Sequence, residues 1–133
     1  MPWQKGNHVP ETILIVDDHD DVRRALRDWL ALEFPQCRVI EAANGEEAIA
    51  LVRTESPRLI VMDIRLPGMN GIEATRQIKA SLPSAQIVML TIHTSDTFRG
   101  AARAAGVCAY VTKQAMHAEL VPTLAGLLAN GRN

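Results

Sequence analysis

Residues Ile13 to Val16 form a short apolar run that ends in two acids, Asp17 and Asp18. An apolar run without alternation reads as a strand buried on both faces. Beyond it, Val22, Ala25, Leu26, Trp29 and Leu30 recur at helical spacing, with Arg23, Arg24, Arg27 and Asp28 between them. That pattern predicts an amphipathic helix with Trp29 in the core. Asp20 is its expected N-cap and Pro35 marks its end. "CRVIEA" predicts a second strand. "NGEEAIALVRTE" predicts a second helix, opened by a turn at Asn44-Gly45 and closed before Pro57. "RLIVMDI" repeats the first pattern, a buried run ending in Asp63. The turn-rich loop "RLPGMNG" leads to a third helix, "IEATRQIKASL", stopped by Pro83. "QIVMLTI" is a fourth strand that reaches Thr91. "SDTFRGAARAAG" is a fourth helix with Gly106 as its C-terminal cap. "CAYVTK" is a fifth strand, ending at Lys113. "MHAELVPTLAGLLANG" is a fifth helix with Leu120, Leu124, Leu127 and Leu128 on one side. Pro122 falls inside it and removes a backbone bond, at a cost of about 3 kcal/mol. A kink there, or a regular helix that begins nearby, is expected.

Strand and helix thus alternate five times. Unalternating strands separated by amphipathic helices predict an α/β fold, a parallel sheet covered on both faces. Right-handed crossovers leave few topologies, of which the doubly wound five-stranded sheet is the expected one. The domain spans residues 12 to 129, with short tails at 1–11 and 130–133. In such sheets, ligands bind outside the carboxyl ends of the strands.

Composition narrows the function. The chain has 133 residues, 47% of them hydrophobic and 22% charged, as in an ordinary globular domain. Its formal net charge of -1 argues against direct nucleic-acid binding, which needs a basic surface. Cys37 and Cys108 sit in apolar surroundings and are expected to be buried thiols in a reducing compartment. "MPWQKGNHVPE" lacks the apolar segment of a signal peptide. No apolar run approaches the roughly 20 residues that span a bilayer. A cytoplasmic protein without membrane contact is expected.

The switch-point rule gathers the distinctive residues at one edge. Asp17 and Asp18 follow strand one, Asp63 ends strand three, Thr91 strand four and Lys113 strand five. Like charges ~4 Å apart repel by roughly 4 kcal/mol at an effective dielectric of 20. Three carboxylates at one edge therefore call for a cation. Mg²⁺ takes oxygen ligands and commonly joins carboxylates to a phosphate. A hydroxyl and an ammonium facing the same point suit phosphoryl oxygens. A carboxylate in that setting can attack phosphorus and form an aspartyl phosphate. Each residue alone has a plainer reading. Asp63 could cap a turn, Lys113 could be a solvated lysine, and Thr91 is a common strand residue. Position at the same edge is what raises them above it. His19 reads as a loop histidine, because Mg²⁺ prefers oxygen. Asp20 and Asp21 suit a helix N-terminus.

"ILIVDDH", "LIVMDIRLPGMNGIEATRQIK", "IVMLT" and "AYVTK" resemble the receiver domain of two-component response regulators over roughly residues 12 to 129. "DDH" and "DIRLPGMNG" are most similar to receivers of NarL/LuxR-type transcription regulators. The resemblance implies a flavodoxin-like sheet of order 2-1-3-4-5 with five helices. It implies Asp63 as phosphoacceptor, and Mg²⁺ held by Asp17, Asp18, Asp63 and the backbone carbonyl of Arg65. Thr91 and Lys113 would bind the phosphoryl group, and Tyr110 would be an aromatic switch coupled to Thr91. Arg65 and His93 fall where the family tunes the lifetime of the phosphoryl group. The implied donor is a sensor histidine kinase or phosphotransfer protein, and a homodimer is a further partner. The domain would catalyse its own phosphorylation and slow dephosphorylation, with no independent substrate turnover. The readout surface would be helix four, strand five and helix five, and the output transcriptional, through a domain outside these residues. The family often carries proline after the lysine, where this chain has Gln114. A cis peptide after Lys113 is therefore not assumed.

Other classes fit less well. A flavodoxin-like cofactor binder needs a Ser/Thr/Gly-rich phosphate loop after strand one, where this chain has "DDHDD". An aspartyl phosphohydrolase matches the spacing of Asp18 and Asp20 but needs a cap insertion for which there is no room. A receiver that acts only by protein binding, without phosphorylation, is the remaining alternative.

Overall fold

The structure, a computed structural model, describes residues 10–130. Most of both expected tails, and most of the segment read for a signal peptide, lie outside the described residues. The strands are β1 (Thr12–Val16), β2 (Arg38–Ala42), β3 (Leu59–Met62), β4 (Gln86–Thr91) and β5 (Ala109–Thr112). The helices are α1 (Asp20–Glu33), α2 (Gly45–Glu55), α3 (Gly71–Ser81), α4 (Asp96–Ala105) and α5 (Met116–Asn130). A 3₁₀ turn, Lys113–Ala115, joins β5 to α5. The five strands form one parallel sheet in the order β2-β1-β3-β4-β5. This is the doubly wound α/β fold that the strand and helix pattern predicts, in the flavodoxin-like order that the family resemblance implies.

Strand periodicity sorts the core into two layers. Leu14, Val16, Ile60, Met62, Ile87 and Met89 face one way and pack with Ala48 and Val52 of α2, Ala74 and Ile78 of α3, and Ala102 of α4. Ile13, Ile15, Leu59, Val61, Val88, Leu90 and Val111 face the other way, onto Leu26 and Leu30 of α1 and Leu120, Leu124 and Leu128 of α5. Each fully buried aliphatic side chain contributes about 1.5–3 kcal/mol. With helices on both faces, the inner strands β1 and β3 are buried throughout, which explains their unbroken apolar runs.

Local chemistry starts most helices. Asn44, Asn70 and Ser95 accept hydrogen bonds from the backbone N–H of Glu47, Glu73 and Phe98, at 2.8, 2.9 and 3.3 Å. Such caps stabilise a helix by about 1 kcal/mol each. Gly106 ends α4 at φ 111°, a left-handed conformation that suits glycine.

Three expectations need correction. The N-cap of α1 is His19, not Asp20, and its side chain makes no cap hydrogen bond. Asp20 is the first helical residue and accepts from Arg23 instead. Trp29 is half-buried, with its ring centroid 5.7 Å from that of His117 in a shallow apolar groove between α1 and the start of α5. The cysteines are not buried: Cys37 is half-buried and Cys108 exposed, and neither is in a disulfide. They flank β2 and β5, the two edge strands, where one side of the sheet is open to water.

Pro122 lies inside α5, which is assigned as continuous around it, and it is exposed. It has no N–H to offer the carbonyl of Ala118, and no packing offsets the lost bond. Pro122→Ala should therefore stabilise the protein by about 1–2 kcal/mol, read as a raised melting temperature. No cis peptide occurs among the described residues, including the bond after Lys113.

Candidate functional site

Strand register assembles the site. Val16 pairs with Met62, Met62 with Met89, and Met89 with Tyr110. Asp17 and Asp63 therefore leave the sheet at the same level, and Asp63 donates its N–H to the Val16 carbonyl at 3.1 Å. Thr91 pairs with Thr112, so Lys113 steps out one residue beyond β5. Burial is deep for such polar groups. Asp17 is 2% exposed, Asp63 5% and Thr91 0%.

Lys113 holds the centre. Its Nζ donates to Asp17 Oδ2 at 2.8 Å and to Asp63 Oδ2 at 2.9 Å. One ammonium thus serves two buried carboxylates whose sequence positions are distant. Burial works against charge on Asp17. Even so, its carboxyl is held below the ordinary value, because hydrogen bonds from Lys113 and from the His19 backbone outweigh burial. Burial likewise works against charge on Lys113, and its two carboxylate partners raise its pKa instead.

The turn after β1 supplies the rest of the acid cluster. His19 donates its N–H to Asp17 Oδ1 at 2.9 Å, and its Nδ1 lies 3.0 Å from that oxygen and 3.3 Å from Asp18 Oδ1. These carboxylates raise the pKa of the imidazole, Asp17 most. Asp17, Asp18 and His19 each offer a ligand atom within 4.8 Å of the others. Asp63 turns to Lys113, and its Oδ1 accepts from the Arg65 N–H at 3.4 Å. Asp18, His19, Arg65, Leu66, Pro67, Ile92 and His93 line an open cleft of about 570 Å³ at this edge.

Thr91 connects to the far side of the sheet. Its hydroxyl oxygen accepts from the His93 N–H at 3.4 Å. The His93 carbonyl accepts from Tyr110 Oη at 2.9 Å. Arg99 of α4 stacks its guanidinium 4.5 Å from the Tyr110 ring centroid. The His93 ring packs on Phe98 at 4.7 Å, and its Nε2 is buried with no partner among the described residues. Thr91, His93 and Tyr110 therefore form a continuous polar link from site to α4.

The sequence-predicted residues are all at this edge. The fold brings Asp17, Asp63 and Lys113 into direct contact and links Thr91 to Tyr110 through the backbone of His93. Two contributors are visible only in three dimensions. Gly71 opens α3 directly against Asp63. A Cβ there would lie 2.0 Å from the Asp63 carbonyl oxygen. Arg23 donates from Nη1 to the carbonyl of Asp17 at 2.8 Å. The second glycine of "GMNG" was the available signal for the first. For Arg23 the signal was a cation on α1 one turn beyond the acids.

The donor set is all oxygen apart from His19, clustered and partly exposed through Asp18, and it fits a hard divalent cation such as Mg²⁺. No helix among the described residues is long and apolar enough to cross a membrane.

Residues 13–125 match the family model described as the response regulator receiver domain. The chain is 36% identical over 117 residues to the transcriptional activator protein ExaE of Pseudomonas putida, covering 88% of this chain and 55% of that one. It is 35% identical over 121 residues to the response regulator UvrY of Escherichia coli, covering 90% and 55%. The chain thus spans about half the length of these curated relatives. Among solved structures, a LuxR-family two-component response regulator from Aurantimonas superposes with a TM-score of 0.84 at 40% identity, covering 92% of this chain and 87% of that one. With the site at the carboxyl ends of β1, β3, β4 and β5, and a family match over most of its length, the chain belongs to the receiver domains of two-component response regulators.

Proposed function

We propose that this receiver is a phospho-accepting switch: Asp63 takes a phosphoryl group from a phosphohistidine, in a reaction that depends on Mg²⁺. The observation that carries the reading is the single Lys113 ammonium shared by the buried carboxylates of Asp17 and Asp63. Asp17, Asp18, Asp63 and the backbone carbonyl of Arg65 would hold the metal. When bound, it offsets repulsion between the attacking carboxylate and the anionic phosphoryl group.

The chain's own residues do the rest. A carboxylate oxygen of Asp63 forms the new O–P bond while the P–N bond of the donor breaks. The electron pair of that bond stays on the leaving imidazole nitrogen, which takes a proton from solvent. Lys113 already lies 2.9 Å from Asp63 and transfers its second hydrogen bond to a phosphoryl oxygen. The Thr91 hydroxyl has its proton available to the same group, since the bond it makes with His93 uses the oxygen as acceptor. Movement of Thr91 reaches Tyr110 through His93, and Tyr110 carries it to the α4–β5–α5 face. Arg65 and His93 border the cleft and set how readily water reaches the phosphoryl group. The domain therefore catalyses its own phosphorylation and slow hydrolysis. Its donor is a sensor kinase or phosphotransfer protein, and its output is transcriptional, as the names of its relatives suggest.

Intact mass tests this. Incubation with Mg²⁺ and acetyl phosphate should add about 80 Da, and Asp63→Asn should abolish the gain. An unchanged mass with both acetyl phosphate and a phosphohistidine donor would reject the reading, in favour of a receiver that works by binding alone.

A further inference from the structure

Arg23 is the one basic side chain of α1 that reaches the turn carrying the acids. Only 11% of its side chain is exposed, and each of its three nitrogens has a different partner. Nη1 donates to the Asp17 carbonyl at 2.8 Å, Nε to Glu41 Oε1 at 3.0 Å, and Nη2 to Asp20 Oδ1 at 2.9 Å. Glu41 sits on β2, in register with Ile15 of β1, and its second oxygen accepts from Arg27 at 2.7 Å. The Asp17 N–H donates to Ala42 of the same strand at 3.2 Å.

Asp17 is therefore gripped at both ends of its backbone, by β2 at its N–H and by Arg23 at its carbonyl. That carbonyl belongs to the peptide that leads into Asp18. Fixing its plane fixes the direction in which Asp18 leaves the chain. Among the described residues no other hydrogen bond holds this carbonyl, and the cap of α1 adds no side-chain bond of its own. The planar fork of arginine suits the task, because it anchors on Glu41 while a separate nitrogen reaches the carbonyl.

We propose that Arg23 is a positioning residue of the divalent-cation site, aligning Asp17 and Asp18 through the Asp17 carbonyl and itself held by Glu41. The proposal rests on the reading of this edge as a Mg²⁺ site. Groups that orient metal ligands typically matter by about 10-fold or more in affinity. A plain scaffold role would instead stabilise the α1–β2 contact and leave the metal unaffected.

The test measures Mg²⁺ affinity by calorimetric titration, and separately the melting temperature without metal, for Arg23→Lys, Arg23→Met, Glu41→Gln and Arg27→Met. Both Arg23 variants should bind Mg²⁺ about 10-fold more weakly. Glu41→Gln should weaken it in the same direction. Arg27→Met should leave it unchanged while lowering the melting temperature. In phosphorylation by acetyl phosphate, the Arg23 variants should need more Mg²⁺ for half-maximal rate yet reach the wild-type rate at saturation. Lower melting temperatures with unchanged Mg²⁺ affinity would overturn the proposal and leave a scaffold ion pair. Tighter binding in Arg23→Met, with Arg23→Lys unchanged, would overturn it in favour of simple charge repulsion. Should an Arg23 variant not fold, Glu41→Gln decides alone. Wild-type protein whose Mg²⁺ binding is absent, or survives Asp18→Asn, would reject the underlying site reading, a different result from any of these.

Discussion

Gly71→Ala is expected to cost about 3 kcal/mol or more, and to lower the melting temperature by roughly 10 °C. The added Cβ would lie 2.0 Å from the Asp63 carbonyl oxygen, 2.9 Å from its carbon and 3.0 Å from Met62 Cγ. Two of those three neighbours are backbone, so no rotamer change relieves the clash. The helix start cannot slide away freely either. Gly71 donates its N–H to the Ile64 carbonyl at 2.8 Å, and Thr75 donates back to the Gly71 carbonyl at 2.8 Å. Relief must come from moving α3 away from Asp63 or from displacing Asp63 itself. Phosphorylation should therefore fall even in the fraction that remains folded. Gly126→Ala makes the contrast. Beyond the adjoining backbone of its own helix, no atom lies within 4 Å of its would-be Cβ, and it sits inside α5. That change should stabilise by about 0.5–1 kcal/mol, from helix propensity alone. Thermal melts of both variants check the pair. Equal small effects would mean that α3 approaches Asp63 less closely.

The contrast between Gly71 and the strands explains how far the sequence could be read. Ile13–Val16 and Leu59–Met62 are buried on both faces, so every position is apolar and the run is visible without alignment or structure. Each ends in an acid, and the switch-point rule alone brought Asp17, Asp63, Thr91 and Lys113 to one edge. What a local pattern cannot carry is which of these touch. Lys113 meets Asp63 across 50 residues and Asp17 across 96, a result of register and of the 3₁₀ turn after β5. Arg23 looked like one of several cations on a solvated helix face. Only the placement of Glu41 on β2 makes it a buried fork. The cap of α1 was misplaced by one residue for a similar reason. Asp20 is a good capping side chain, but Arg23 claims it, and the chain enters the helix at His19. The exposure of Cys108 and the half-burial of Trp29 depend on which strands and helices end up at the margins, which apolar character alone does not reveal.

Lys113→Met should separate metal binding from phosphotransfer, moving them in opposite directions. In the metal-free protein, one ammonium neutralises two carboxylates that are 2% and 5% exposed. Removing it leaves like charges buried together, at a cost of about 3–5 kcal/mol near pH 7. The variant can recover part of this by taking up a proton, so one of the two acids acquires a raised folded-state pKa. The signs then oppose each other. In the wild type, Asp17 titrates below its ordinary 3.8, so its contribution is present above that value and is lost as pH falls through the folded one. In Lys113→Met, the raised acid favours the folded state below its unfolded pKa, and that contribution is lost as pH rises through the folded value. Acidification from pH 7 toward 5 should therefore stabilise the variant more than the wild type, whose gain in this window comes from protonation of the exposed His19 beside Asp17 and Asp18. Mg²⁺ provides a second route to the same relief, and it no longer competes with the ammonium for Asp17 and Asp63. The variant should bind Mg²⁺ more tightly than wild type and gain more in melting temperature from it. Phosphorylation by acetyl phosphate should nevertheless fall by about 100-fold or more, since removing one fixed donor at a developing charge typically costs that much. Melting curves with and without Mg²⁺ at pH 5 and 7, beside the rate of mass gain, measure all three effects. A variant that loses Mg²⁺ affinity together with phosphorylation would mean that Lys113 organises the carboxylates for the metal instead of competing with it.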